Sequence, residues 1–164
     1  MAADHPLHEA DWVHGHPHEP NPLAPAGDSG FVVITSEGVE VATSLSDLTA
    51  LPCTEVAGCL IVSTGHGTSG PFTFGGALLV DLLAHLVDKL AGQSAWRHID
   101  IVSADGFGTR LTPADLSGAA PILLAWRRDG QPLTRAQGLV RLIVPSERDD
   151  ALRQVKWVAR IEIT

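Results

Sequence analysis

"QVKWVARIEIT", residues 154–164, decides the fold of this chain. Apolar and polar residues alternate along it with a period of two, which is typical of a β-strand with one buried face. Immediately upstream, "LVRLIVP" (139–145) is a second apolar strand. Before that, "PILLAWRRDGQPL" (121–133) predicts a third strand that ends in an Asp-Gly turn. The carboxyl-terminal third is therefore built mainly of strands.

The remainder of the chain adds further strands and a few helices. Residues 31–35 and 39–42 read as a hairpin across the turn "SEG". Three further elements are predicted, namely a strand over 54–62, a helix over 75–92 with leucines at helical spacing, and one helical turn in "LTPADLSG" (111–118). A short helix also begins after Ser44, with Asp47 at the capping-box position. The fold class is α+β with a mixed or antiparallel sheet and few helices.

The composition of the chain limits the kinds of molecule that it is expected to bind. The chain has 164 residues, 45% of them apolar, and a formal net charge of -8, which argues against nucleic-acid binding. No apolar run is long enough to span a membrane, and the amino terminus lacks the pattern of a signal peptide. Two cysteines, Cys53 and Cys59, are too few for a disulfide framework and are read as two structural thiols rather than a regulatory disulfide. We therefore expect a cytoplasmic protein.

The amino-terminal segment differs in composition from the rest. Residues 1–29 contain five of the eight histidines together with repeated Pro and Gly, and they show no sustained periodicity. This predicts a flexible tail, followed by a single domain over 30–164. "HGHPHEP" (14–20) suggests weak metal binding by flexible imidazoles, which we interpret as incidental.

Several segments together indicate a family. The chain contains, in this order, "SLSDLTALP" (44–52), "FTFGGALLVDLL" (72–83), "SADGFGTRL" (103–111), "ILLAWRRDGQPL" (122–133), "GLVRLIVP" (138–145) and "LRQVKWVARIEIT" (152–164). This combination resembles the molybdopterin-binding domain of the sulfite oxidase family over roughly residues 31–164. The resemblance implies a mixed α+β sulfite-oxidase-type fold with a cleft that holds the molybdenum cofactor in relatives.

The metal-ligand position departs from the pattern of the family. The resemblance implies a metal-binding cysteine at the end of the strand before the Gly-rich turn "STGHGTSG" (63–70), and in this sequence the position falls on Val62 or Ser63. A hydroxyl is a much poorer donor to molybdenum than a thiolate, and a valine offers no donor. The segment "SERDDAL" (146–152) is acidic and would repel a phosphate-bearing cofactor. From these two departures we expect a member that lacks the ligating cysteine and needs no cofactor, with bound molybdopterin as the alternative.

Candidate site residues come from the turn and from three places downstream. As catalytic residues we predict His66 as acid or base, Ser63 and Asp105. For binding the cofactor or an anionic ligand we predict the following residues: Thr64, Gly65, Gly67, Arg110 and Arg153. No metal ligand is predicted.

Each candidate has a simpler interpretation. His66 reads rather as a solvated loop residue, and Asp105 reads primarily as part of an Asp-Gly turn. Arg153 could pair with Asp149 or Asp150 on the surface. We interpret Lys156 and Trp157 as structural, with the tryptophan in the core and the lysine on the opposite face.

Three functions follow as hypotheses. The first is a protein that binds a small organic ligand, such as an anion, or a cofactor-independent acid/base enzyme that uses the turn amides as an oxyanion hole. The second is a molybdopterin-dependent oxidoreductase with atypical ligation, through Ser63 or through no side chain. The third is a binding or scaffold protein whose histidine-rich tail binds metal or a partner. We expect the first, with neither nucleic acid nor membrane as a partner.

Overall fold

A computed structural model describes residues 27–63, 67–86, 96–118, 120–145 and 154–164. These residues form two five-stranded sheets and three helices. The elements are β1 (Phe31–Ile34), β2 (Glu40–Thr43), α1 (Leu45–Thr49), β3 (Cys53–Ser63), β4 (Gly67–Leu78), α2 (Leu79–Leu86), β5 (Ile99–Ser103), β6 (Gly108–Leu111), α3 (Pro113–Leu116), β7 (Leu123–Arg128), β8 (Gln131–Pro132), β9 (Arg141–Ile143) and β10 (Val158–Ile163). The predicted α+β class with few helices is confirmed.

The first sheet has the strand order β2-β1-β10-β5-β6. Its two central strands, β1 and β10, run parallel, whereas every other neighbouring pair is antiparallel. The sheet is therefore mixed, as the sequence predicted. The strand that alternates most clearly in the sequence, β10, lies at its centre, and Ile161 and Ile163 on its inner face are buried.

The second sheet has the order β3-β4-β7-β8, and β9 also pairs with β7. Its largest part is the long hairpin of β3 and β4, in which Ser63 pairs with Gly67 next to the turn. The predicted Asp-Gly turn between β7 and β8 is present, and both Asp129 and Gly130 have positive φ angles there (51° and 80°), as a tight hairpin turn requires.

The main core lies between the two sheets and includes one face of α2. It combines inward residues of the first sheet, such as Ile99 and Ile161, with Leu124 and Leu142 of the second sheet and Leu82 of α2. A smaller cluster covers the opposite face of the second sheet; its buried members are Cys59, Phe74, Leu123, Ala125, Leu133 and Ile143. The second sheet therefore has apolar contacts on both faces.

Both short helices begin as the sequence predicts. The Ser44 side chain accepts a hydrogen bond from the amide of Asp47, and the Asp47 carboxylate accepts one from the amide of Ser44. Thr112 and Asp115 form the same reciprocal pair at α3, where Pro113 occupies the first turn. These capping boxes satisfy amides that a helix start leaves without partners.

Two boundaries differ from the sequence predictions. The helix predicted to begin at residue 75 begins at Leu79, because residues 75–78 continue β4. A Cβ on Gly76 would lie 2.1 Å from the carbonyl oxygen of Leu124, so the bare glycine permits a close approach of β4 to β7. At the other end of the chain, β10 begins at Val158, because Trp157 has a φ of 49° and cannot continue a strand.

The predicted tail and the end of the long helix lie largely outside the described residues. Residues 1–26 and 87–95 are not described, so the boundary between tail and domain stays a prediction. Among the described residues, no helix has the length and apolar character needed to cross a bilayer. The cytoplasmic location also stays a prediction.

The contact at Gly76 provides a test of the fold. We expect Gly76→Ala to lower the free energy of unfolding by about 3 kcal/mol, because the new methyl group overlaps the Leu124 carbonyl and must separate the two strands. Urea unfolding measures the change. Gly27→Ala is the matched control, since a Cβ there meets nothing within 4 Å, and it should change stability by less than about 0.5 kcal/mol. Equal stabilities of the two variants would contradict the close approach.

Candidate functional site

The residues predicted from the Gly-rich turn lie mainly outside the described chain. Thr64, Gly65 and His66 are not described, and neither is Arg153. The structure does place the backbone of Ser63 at the last position of β3, opposite Gly67 at the first position of β4. Gly67 is exposed and has a φ of 78°, a conformation that favours glycine. The roles predicted for these residues remain predictions.

Asp105 and Arg110 have local partners in the first sheet. The Asp105 carboxylate accepts a hydrogen bond from the amide of Phe107 at 3.0 Å, which is the bonding expected of an Asp in a turn. The guanidinium of Arg110 donates to both carboxylate oxygens of Asp100, at 2.7 and 3.0 Å. Asp100 is buried, so this bidentate pair supplies the charge that its carboxylate needs. The ligand-binding role predicted for Arg110 remains a prediction.

A different group of basic side chains lies over the smaller apolar cluster. The guanidinium carbon of Arg128 is 4.3 Å from the centre of the Phe72 ring, and that of Arg141 is 5.2 Å from the centre of the Phe74 ring. The two rings contact each other edge to face, with centroids 5.9 Å apart. The aromatic pair therefore carries one cation at each end, an arrangement that cation–π attraction stabilises.

Arg141 is the most deeply buried of these cations. Its residue is only 4% exposed, and its pKa is lowered to about 10, first by burial and then by repulsion from Arg128. Its Nη1 donates a long hydrogen bond of 3.4 Å to the carbonyl of Gln137, whereas its buried Nε has no partner among the described residues. A buried guanidinium without a carboxylate is costly, so Arg141 is suited to receive an anion.

Lys156 and Gln154 approach Arg141 from the segment before β10. Burial, Arg141 and Arg128 together lower the pKa of the half-buried Lys156, and Asp105 opposes them. The amide of Leu142 donates to the carbonyl of Val155, which joins this segment to β9 next to Arg141. The side-chain oxygen of Gln154 is buried and has no partner among the described residues.

We refer to Arg128, Arg141 and Lys156 as the basic cluster. Within the described ranges, none of the three has a carboxylate within ion-pair distance, whereas Arg110 and Arg160 each do. Burial and then repulsion between the cations lower the pKa values of Arg141 and Lys156, and among the described residues Asp105 is the carboxylate that counters the charge of Lys156. The arrangement is therefore an excess of positive charge at a partly desolvated place, which favours a bound anion.

The thiol donors lie away from the end of β3. Cys53 is exposed at the first position of that strand, and its Sγ accepts a hydrogen bond from Arg127 at 3.0 Å. Cys59 is buried, and burial raises the pKa of its thiol, which favours the protonated form rather than a metal-binding thiolate. Ser63 lies four positions after Cys59, about 13 Å along a strand. In the described part of the chain, no three His, Cys, Asp or Glu side chains group as a metal site.

Comparison with known proteins identifies the class. Residues 35–164 match the family described as the oxidoreductase molybdopterin binding domain. Because this match covers most of the chain, the chain belongs to that family. No curated protein sequence matches the chain.

A solved structure confirms the fold. The chain is similar to the sulfane dehydrogenase SoxCD from Paracoccus pantotrophus, with a TM-score of 0.65 and 18% sequence identity. The superposition covers 87% of this chain and 39% of the SoxCD chain, so this chain corresponds to less than half of that protein. The likeness supports the predicted sulfite-oxidase-type architecture of mixed sheets with few helices.

The family match corrects the cofactor prediction. The absence of a cysteine at Val62 or Ser63 led to the expectation that no cofactor is needed, and that expectation is wrong because the family is defined by molybdopterin binding. The basic cluster also fits a phosphate-bearing group, since it offers cationic donors whose charge the described residues leave largely uncompensated. The prediction gave too much weight to one metal-ligand position and to the acidic segment 146–152.

Sequence reasoning did not select the basic cluster. Arg141 is the lone charged residue in the apolar run "LVRLIV" (139–144), and a charge in such a run needs a partner when the strand is buried. That signal was present and was not used. Lys156 was interpreted as structural on the face opposite Trp157, whereas its Nζ lies 5.6 Å from the centre of the Trp157 ring.

Burial of the charged Arg141 side chain should lower the free energy of unfolding. We expect Arg141→Met to raise the free energy of unfolding of the cofactor-free protein by about 1–2 kcal/mol at pH 7, because the methionine fills the space without a desolvated charge. Burial lowers the pKa of Arg141 in the folded chain to about 10, well below its ordinary value, so the cost is complete below pH 10 and is relieved as the pH rises from there.

Urea unfolding in a buffer free of phosphate and sulfate measures this difference. Arg160→Met is the control, since Arg160 is exposed on the first sheet, and it should leave stability within about 0.5 kcal/mol of the parent protein. A loss of stability in Arg141→Met would mean that the contact of Arg141 with Phe74 outweighs the cost of burying its charge.

Proposed function

We propose that this chain is the molybdopterin-binding domain of an oxidoreductase and that the basic cluster binds the phosphate-bearing part of the cofactor. The observation that carries the proposal is the set of three neighbouring cations, one of them almost fully buried, with no ion-pair partner among the described residues. Folding brings these like charges together at a cost in free energy. A bound anion offsets that cost, because it supplies the opposite charge where solvent is largely excluded.

The donors in the cluster suit an oxyanion. Guanidinium groups present several N–H donors in a plane and bind phosphate oxygens in a bidentate manner, and an ammonium adds a compact point charge. The Nε of Arg141 is buried and has no partner among the described residues, so it is a donor that such an oxygen would satisfy. The oxygen of Gln154 is an acceptor and is available to an N–H group of the same ligand.

The bound cofactor supplies two-electron redox chemistry at molybdenum. The residues of this chain bind and orient it, and the two phenylalanines beneath Arg128 and Arg141 exclude water from one side of the cluster. We propose that binding depends on the phosphate end and not on a thiolate from the end of β3, where Val62 and Ser63 stand. Of these two residue types, only serine carries an oxygen donor, so Ser63 is the candidate ligand to the metal.

Co-expression tests the proposal. In a host that makes the molybdenum cofactor, we expect the untagged protein to purify with bound pterin and molybdenum, measured by fluorescence of the oxidised pterin and by elemental analysis. Arg128→Gln and Lys156→Gln should each lower the affinity for the cofactor about tenfold or more, because each removes a charge-assisted contact. Arg160→Gln should retain the content of the parent protein, since Arg160 lies outside the cluster and pairs with Glu162.

The outcomes separate the parts of the proposal. Protein free of pterin from a host in which a known molybdoenzyme is fully loaded would overturn it. If the Lys156→Gln and Arg160→Gln proteins retain the same amount of pterin, the phosphate binds outside the basic cluster. Ser63→Ala that keeps pterin but loses molybdenum would identify Ser63 as the residue that holds the metal end.

A further inference from the structure

Besides Asp129 in its hairpin turn, two non-glycine residues with left-handed backbone conformations lie next to the basic cluster. Leu139 has a φ of 56° and Trp157 a φ of 49°. Side chains other than glycine seldom adopt this region, and each such residue costs of the order of 1–3 kcal/mol unless its surroundings enforce it. Both flank segments that supply the cluster, because Arg141 follows Leu139 and Lys156 precedes Trp157.

The two strained positions are joined by hydrogen bonds. The amide of Trp157 donates to the carbonyl of Gly138 at 3.0 Å, and the amide of Val158 donates to the carbonyl of Val140 at 3.0 Å. Residues 134–139 form a turn, in which Thr134 and Gln137 exchange side-chain and backbone hydrogen bonds. We refer to this segment as the 134–139 turn. It is therefore fixed within itself and fixed to the segment that carries Lys156.

The Trp157 side chain adds a second connection. Its ring is buried, and its Nε1 donates a hydrogen bond of 2.6 Å to the carbonyl of Arg135 in the 134–139 turn. The indole therefore reaches from the start of β10 across to the turn. Its ring also lies against the Lys156 side chain, with the Nζ 5.6 Å from the ring centre.

Gly138 closes the other side of Lys156. A Cβ at Gly138 would lie 3.0 Å from the Cβ of Lys156 and 3.1 Å from its Cγ, and the φ of Gly138 is 113°. The stem of the lysine is thus confined between the backbone of the 134–139 turn and the Trp157 ring. This confinement matters because Arg128 and Arg141 repel the ammonium, which would otherwise turn toward water.

We propose that Trp157 and the 134–139 turn form a clamp that positions the Lys156 ammonium in the basic cluster, and that Trp157 is a positioning residue. The purpose of the clamp rests on the proposed function, in which Lys156 contacts the anionic part of the cofactor. The clamp itself is a property of the protein without cofactor. The backbone strain at Leu139 and Trp157 is then the cost of holding a cation against its neighbours.

The first test uses the cofactor-free protein. Lys156 and Lys89 are the two lysines in the chain, so competitive acylation followed by mass spectrometry reports the titration of Lys156 with Lys89 as an internal reference. In the parent protein the Lys156 midpoint lies below that of a free lysine, through burial and the charges of Arg141 and Arg128, partly countered by Asp105. Trp157→Phe should raise this midpoint by roughly 0.4 to 1 pH unit, because it removes the indole hydrogen bond and releases the ammonium toward solvent.

A control and a second variant accompany Trp157→Phe. Trp126→Phe removes an indole from the half-buried Trp126, which packs against the main core, and should leave the Lys156 midpoint unchanged. Gly138→Ala opposes the confinement from the other side, since the added methyl displaces the Lys156 stem, and should shift the midpoint in the same direction. If Trp157→Phe does not fold, the Lys156 midpoint of Gly138→Ala still tests the clamp. An unchanged Lys156 midpoint in the folded variants overturns the clamp.

The second test connects the clamp to binding. For protein loaded with cofactor, Trp157→Phe should increase the rate of pterin loss on dilution about three- to tenfold, the effect of one lost hydrogen bond. In a Lys156→Gln background the same change should have little effect, since the tryptophan acts through the lysine. Equal effects in both backgrounds would show a merely structural tryptophan. Absence of pterin from the parent protein, with the midpoint shift still present, would overturn the proposed function and leave the clamp intact.

Discussion

The close approach of β4 to β7 at Gly76 is the constraint on which the second sheet and the site depend. The absence of a side chain lets β4 lie against the Leu124 carbonyl, and the register shifts between Gly75 and Gly76 as the strands come together. Two residues before Gly76 in β4, Phe74 pairs with Arg128, which places the aromatic pair beneath the guanidinium groups. After Gly76 the chain leaves the sheet and enters α2 at Leu79, and the leucines of this helix pack in the main core. One contact thus determines both the position of the cations and the start of the helix.

The basic cluster shows a conflict between stability and binding. Three features oppose folding of the chain alone. Arg141 is buried with no carboxylate partner among the described residues, three cations repel one another, and the backbone is left-handed at Leu139 and Trp157. A core optimised for stability would place an apolar residue at position 141. Natural domains keep such features where a ligand compensates for them, and the compensation is then measured as binding affinity. These costs to folding are what the proposed function explains, since a bound anion would offset them.

Local signals in the sequence predicted the local parts of the structure. The capping box of Ser44 and Asp47, the Asp-Gly turn at Asp129 and the alternating strand β10 all depend on neighbours within a few residues, and each is present. The predicted start of α2 was wrong. The predicted helix includes residues 75–78, whose pairing with β7 overrides helix propensity. The basic cluster joins positions 128, 141 and 156 through strand pairing, which periodicity in one segment does not reveal. The lone charge of Arg141 in an apolar run was the one signal in the sequence that indicated the basic cluster.

The cofactor prediction failed for a related reason. A missing cysteine at the end of β3 is conspicuous in a sequence, because one residue carries the whole signal. Binding of a phosphate-bearing pterin is distributed over many contacts, each worth about 1.5–3 kcal/mol where charge is involved, so one ligand position carries only part of the affinity. In the proposed function such contacts come from Arg128 in β7 and Arg141 in β9, which are paired strands of the second sheet, and from Lys156 just before β10 of the first sheet. An argument from one ligand position therefore underestimates a site whose affinity lies in the fold.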